Sequence, residues 1–240
     1  MIARRRTAIT VLFMLTAAGC ADLRDRSECL ANVMCSARMQ EPRVIQTADG
    51  TVIRRDNSLI VRPSEGAAIV LTDTPNSCET GDAGRCQGFA LMARISGAHA
   101  FVVQRFFNEG SDFLLIDDRS GRETTLHAMP TFSPDNQRFL VAPFDDESDD
   151  DPNNLEIWRR QNDGAVMEWA HPFKQSFVED PALPALYESR VLRWDPDRVT
   201  LEFSIEGRSD RHWTGTLTRL SDGWHLAANS PAGIFGLNPK

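Results

Sequence analysis

The chain lacks a hydrophobic run of membrane-spanning length, lacks net positive charge, and lacks the short catalytic signatures that spacing alone can reveal. Its most apolar stretch, Ala8 to Ala18, is roughly half of what a helix needs to cross a bilayer. A formal net charge of −8 removes the basic footprint that nucleic acid requires, so no nucleic-acid partner is expected. The same charge disfavours electrostatic adhesion of the chain as a whole to an anionic membrane surface. There is no GxSxG elbow, no SxxK, no HExxH and no glycine-rich phosphate loop. The histidines (His99, His127, His171, His212, His225) are scattered, with no two at metal-ligand spacing. Adjacent carboxylates such as Asp117-Asp118 are ordinary in an acidic chain, and the facing pair that glycosidases need cannot be read from spacing. No catalytic residue and no cofactor emerge, and a non-enzymatic protein is expected.

What is present begins at the N-terminus. Arg4, Arg5 and Arg6 precede the apolar stretch, which is the layout of a secretory signal. The stretch ends in Ala17-Ala18-Gly19-Cys20, which resembles the lipobox of bacterial lipoproteins. The resemblance implies cleavage before Cys20, diacylglycerol on its thiol and a further acyl chain on its new amino group. Ala17 stands where that family more often has Leu. The alternatives are an ordinary signal peptide with a coincidental cysteine, and a twin-arginine signal, of which RRRTAIT carries little. Ala21 follows Cys20 in place of the Asp that favours inner-membrane retention, so the resemblance implies an outer-membrane anchor facing the periplasm. Several acyl chains anchor stably where one is marginal. The expected layout is a signal peptide over 1–19, a lipidated tether with a short helix or loop over 20–48, and a β-repeat domain over 49–240.

With Cys20 given to lipid, Cys29, Cys35, Cys78 and Cys86 remain. An even remainder in an oxidising compartment reads as two disulfides with three possible connectivities. CETGDAGRC makes a closed Cys78–Cys86 loop easy, which leaves Cys29 to pair with Cys35 or stay free. Leu30, Val33 and Met34 have helical spacing, however, and a helix would set Cys29 and Cys35 apart by about 9 Å of rise, beyond disulfide reach. Either the helix breaks between them or they reach across to the 78–86 loop. Neither spacing is CxxC, so a zinc site is disfavoured.

From Thr51 onward the chain reads as short strands rich in β-branched and aromatic residues, separated by Gly, Asn, Asp and Pro. Examples are SLIVR, AFVVQRFF, DFLLID, RFLVAP and RVTLEFSI. Val199, Leu201, Phe203 and Ile205 alternate onto one face. The fold class is all-β. TFSPDNQRFLVAPF and RWDPDRVTLEFSI share an aromatic, a Pro-Asp turn and an apolar strand. LLIDDRSGRETTL, EIWRRQNDGAVMEW and TLTRLSDGWHLA share a Gly turn between strands. Three related units follow, over 89–126, 130–171 and 188–228. The middle unit resembles the blades of TolB-like and WD40-like β-propellers, through Phe132, Ser133, Pro134 and Asp135. Asn136 stands where Gly is usual and suits a left-handed turn. The resemblance implies antiparallel sheets in three to four propeller-like units, residues 51–88 supplying the fourth; the alternative is a β-sandwich. The tryptophans all follow residue 157, on strands or beside turns, where core packing is the expectation and a ligand-stacking platform the alternative.

DDESDDDPNN, from Asp145 to Asn154, is the stretch most like a site. Asp149, Asp151 and Asn153 have the alternating oxygens of a calcium loop, but Arg160 stands where a bidentate Glu is needed. A solvated connection between strands is expected, with calcium or an electrostatic docking tip as alternatives. The functional expectation is a lipid-anchored envelope module that binds a protein or glycan partner. The alternative is a periplasmic hydrolase whose site is assembled from loops, with His127 and His171 its best candidates.

Overall fold

A computed structural model describes residues 33–74, 85–107, 110–142, 154–162, 164–172, 187–205 and 208–228. One α-helix, α1 (Val33–Gln46), precedes fifteen strands among these residues. Sheet 1 joins β1 (Val52–Arg55), β2 (Ser58–Val61) and β3 (Ile69–Thr72). Sheet 2 joins β4 (Gly88–Ile95), β5 (Ala100–Phe106), β6 (Ser111–Asp117) and β7 (Glu123–Leu126). Sheet 3 joins β8 (Thr131–Phe132), β9 (Arg138–Val141), β10 (Asn154–Gln161) and β11 (Gly164–Pro172). Sheet 4 joins β12 (Tyr187–Asp195), β13 (Arg198–Ile205), β14 (Arg208–Leu220) and β15 (Gly223–Ala228). Each sheet is an antiparallel meander whose spatial order follows the chain.

The fold is therefore all-β, in three four-stranded units and one three-stranded unit. The units expected over 89–126, 130–171 and 188–228 correspond to sheets 2, 3 and 4, and residues 52–72 supply the fourth.

Side-chain alternation explains how the sheets stack. In β5, Phe101 and Val103 join a buried cluster with Val52, Leu59 and Val61 of sheet 1, while Ala100 and Val102 join Phe139 and Val141 of sheet 3. In β9, Phe139 and Val141 look to sheet 2, while Leu140 joins Val199, Leu201, Phe203 and Leu217 of sheet 4. Sheets 2 and 3 are thus buried on both faces, and sheets 1 and 4 on one. Val199, Leu201 and Phe203 share the buried face of β13, as their spacing requires.

The turns follow their sequence signals. Asn136 has φ 55°, a left-handed conformation that Asn tolerates well. Gly164 and Gly223, ending the Asn-Asp-Gly and Ser-Asp-Gly turns, have φ 140° and 131°. Sheet 2 has no Ser-Pro-Asp phrase, yet the equivalent connection is there: a 3₁₀ turn over Ser96–Ala98 closed by His99 at φ 46°.

Two elements differ from expectation. Thr131–Phe132 forms a two-residue strand too short to carry an alternation signal. Residues 33–46 form a fourteen-residue helix with Pro42 inside it, where a tether with a short helix or loop was expected. Pro42 removes a helical hydrogen bond, and tertiary packing compensates. Ala37 packs with Ala90 and Phe106, and Val44 and Ile45 pack on the cluster between sheets 1 and 2.

Candidate functional site

Three polar clusters are candidates. The first lies where α1 meets sheet 2. Among the described residues the outer edge of β4 has no neighbouring strand, so its backbone groups need other partners. Phe89 N–H donates to Asp73 Oδ1 at 2.8 Å and Leu91 N–H to Glu41 Oε1 at 2.8 Å. Phe89 carbonyl accepts from Arg38 Nε at 2.8 Å and Arg54 Nη2 at 2.7 Å. Arg54 grips Glu41 through two bonds of 2.7 and 3.0 Å, and reaches Asp73 Oδ2 at 3.1 Å. Arg38 also pairs with Asp73. Glu41 and Asp73 are buried, and these four side chains replace the missing strand.

A second cluster joins sheets 2 and 3. Glu156 is buried, accepts from Trp158 Nε1 at 2.8 Å, and lies 3.7 Å from His127 Nδ1. His127 Nε2 is buried with no hydrogen-bond partner. His127, one of the two histidines favoured for a loop-built site, is drawn partly inward beside the carboxylate of β10. His171 stacks on Trp169, ring centroids 5.9 Å apart.

The third cluster lies where the turns of sheets 3 and 4 meet. Ser133, Pro134, Asp135 and Arg138 face Trp194 and Pro196 around a pocket of about 80 Å³. The two Pro-Asp phrases that repeat in the sequence are its opposite walls. Ser133 Oγ donates to Asp135 Oδ1 at 2.6 Å and Gln137 N–H donates at 3.0 Å. These bonds, the hydroxyl's foremost, hold the Asp135 carboxyl below the usual aspartate range. Arg138 turns to Glu168, Nε to Oε2 at 2.7 Å. Burial alone would raise the Glu168 pKa, but hydrogen bonds from Arg138 and Trp224 outweigh it and the net shift is downward. Small-molecule sites are typically some 300–1,000 Å³, so this pocket takes one side-chain-sized group. Its polar walls are committed to holding their own turns.

Other expected residues fall as follows. Cys20, Cys29, Cys78, Asp149, Asp151 and Asn153 lie outside the described residues. Cys35, in α1, and Cys86, just before β4, are disulfide-bonded. Asn154 opens β10. Trp224 is buried between sheets 3 and 4, with Trp169, Trp194 and Trp213 packed against the same cluster. Trp158 stacks on Phe139 at 6.0 Å. All five tryptophans are thus packed against the core, as expected. Among the described residues no group of three or more His, Cys, Asp or Glu converges as metal ligands. No helix among them is long and apolar enough to cross a membrane.

Sequence reasoning missed the α1–sheet 2 lattice, although one signal pointed to it. In TVIRR, alternation puts Arg54 on the same face as Val52, and an inward arginine demands buried acids.

No protein-family model, curated protein or solved structure matches this chain.

Proposed function

We propose that this is a lipid-anchored cell-envelope protein, acylated at Cys20 and facing the periplasm from the outer membrane, whose β domain is a non-enzymatic binding or scaffold module for a protein or glycan partner. The observation that carries the proposal is Ala17-Ala18-Gly19-Cys20 behind a basic, then apolar, leader. What supports the second half is how several buried or half-buried acids are engaged. Glu41 and Asp73 accept from the β4 backbone, Asp117 accepts from the backbone N–H groups of Arg119 and Ser120, and Glu168 is held by Arg138. Acids bound to their own fold serve rigidity, which suits a scaffold that presents surfaces.

Labelling of growing cells with an alkyne fatty acid tests the anchor. The wild-type chain should take up label and sediment with membranes, and Cys20→Ser should do neither. Retention of both by Cys20→Ser would refute it. Crosslinking in intact envelopes followed by purification tests the binding role; recovery of no partner above background counts against it.

A hydrolase is the second reading, favoured by one observation, the His127–Glu156 pair with an unpartnered Nε2. Activity on esters, peptides or glycosides that disappears in His127→Ala but survives in His171→Ala would support it.

A further inference from the structure

Sheet 1 closes one end of the stack, and its outer face differs from that of sheet 4 at the other end. Val52, Leu59 and Val61 point to sheet 2, so alternation sends Ile53, Arg55, Ser58, Ile60, Val70 and Thr72 outward. Ile53 pairs across the strands with Ile60, and Ile60 with Val70, so three β-branched side chains form a straight row. Val70 is 58% exposed. Arg62 N–H donates to Thr51 carbonyl at 2.8 Å, extending the β1–β2 ladder by one residue and carrying Arg62 to the same face. Arg55, two residues along β1 from Ile53, and Arg62, two residues along β2 from Ile60 in the opposite direction across the sheet, are exposed on the two sides of the row. Neither has a side-chain partner among the described residues. The outward positions include no acid; Asp56 lies in the hairpin turn and Glu65 in the following loop. On sheet 4 the outward side chains are polar, with Thr200, Thr214, Thr216 and Thr218 beside charged groups that include acids: Arg190 is answered by Glu202 at 2.6 Å and Arg193 by Asp195 at 2.9 Å.

We infer that the outer face of sheet 1 is a membrane-contact surface, seated on anionic phospholipid with Arg55 and Arg62 at the phosphates and Ile53, Ile60 and Val70 among the headgroups. Charge complementarity is the first ground. In a chain of net charge −8, two unanswered arginines flank an apolar row of half-buried Ile53 and Ile60 and exposed Val70, and basic groups beside an anionic leaflet are held by its surface potential. The tether is the second. Val33 follows Cys20 by thirteen positions, a reach of at most about 45 Å, and α1 leads directly into β1. A lipid at Cys20 therefore keeps this end of the stack near the bilayer at high effective concentration. A face too small to bind alone then suffices to orient the domain. The net charge excludes adhesion of the molecule as a whole; this face has the opposite sign.

The inference rests on the lipid-anchor reading, and the test separates the two. In the full chain expressed in cells, Ile60→p-benzoylphenylalanine and, separately, Thr216→p-benzoylphenylalanine are irradiated in intact envelopes. Adducts are then scored by mass and by phosphate label. The expected result is a phospholipid adduct at position 60, several-fold above position 216, that falls several-fold in an Arg55→Glu/Arg62→Glu background. Protein-sized adducts at position 60, marking a second copy or another protein, would overturn it, as would equal lipid labelling at both positions or none at either. Cys20→Ser is fractionated in parallel. If it leaves the membrane while the anchored chain gives no lipid adduct at position 60, the face alone fails. If it stays in the membrane, the anchor reading fails, and a phospholipid adduct at position 60 in that same variant then supports the face independently.

Discussion

Replacing Glu41 with alanine should be among the most damaging single changes in the helix. Its carboxylate accepts three hydrogen bonds: Arg54 at 2.7 and 3.0 Å, and Leu91 N–H at 2.8 Å. Its side chain is 4% exposed, so water cannot take over these roles without opening the seam between α1 and β4. Removing one partner of a buried ion pair costs about 3–5 kcal/mol, of which an orphaned backbone N–H contributes about 1–3 kcal/mol. Urea unfolding should therefore show a midpoint shift equivalent to about 3–5 kcal/mol with an unchanged slope. Amide exchange at Leu91 should accelerate more than at Val103, its β5 partner. Arg54→Ala should cost a similar amount, and the double variant much less than the sum, because the second change removes a group already stranded. A loss below about 1 kcal/mol for Glu41→Ala, the level of an exposed pair, or simple additivity of the two changes, would refute the lattice as the seal on β4.

Other expectations are simpler. Gly215→Ala places a methyl 2.7 Å from Phe203 Cε2 in the core between sheets 3 and 4, and should destabilise by about 1–3 kcal/mol in thermal or urea melts. Asn136→Ala forces a less tolerant residue into a φ of 55° and should cost about 1 kcal/mol, whereas Asn136→Gly should be milder; equal effects would discount the turn conformation. Glu168 has a folded pKa below its unfolded one, so its contribution is present above the usual glutamate range and is lost as pH falls through the folded value. Wild-type urea midpoints should accordingly fall between neutral pH and about pH 3 more than those of Glu168→Gln. Calcium or a chelator should leave the melting temperature unchanged, since a bound ion at Asp149, Asp151 and Asn153 would raise it by mass action.

Much of the fold was legible because its dominant signal is local. Period-two alternation needs only neighbours, so β13 and its buried face could be read from Val199, Leu201 and Phe203 alone. The Asn-Asp-Gly and Ser-Asp-Gly turns, and Asn136, were legible for the same reason: each is a backbone requirement met by a residue type on the spot. Less was legible where partners are distant in sequence. Glu41 meets the β4 backbone across fifty residues, and Arg38 meets it across fifty-one. His127 and Glu156 are brought together by the packing of sheets 2 and 3. The repeat phrase appeared in two units only, because sheet 2 builds the equivalent turn from Ser96, Gly97, Ala98 and His99. α1 was underestimated because its burial is divided between apolar residues and a charge lattice, which leaves no clean helical stripe.

The stacking of the sheets has a mechanical consequence. The buried clusters join sheet 1 to sheet 2, sheet 2 to sheet 3, and sheet 3 to sheet 4. Cohesion between sheets is therefore carried by a series of nearest-neighbour couplings, as in a linear array. A lesion in the sheet 3–sheet 4 seam, at Phe203 or Leu217, should let the C-terminal sheet fray while sheets 1 and 2 keep their amide protection. A lesion at Phe101 instead severs the array next to the end where α1 attaches. Equal destabilisation at these two places should thus yield different partly folded species, distinguishable by which half of the chain still resists exchange.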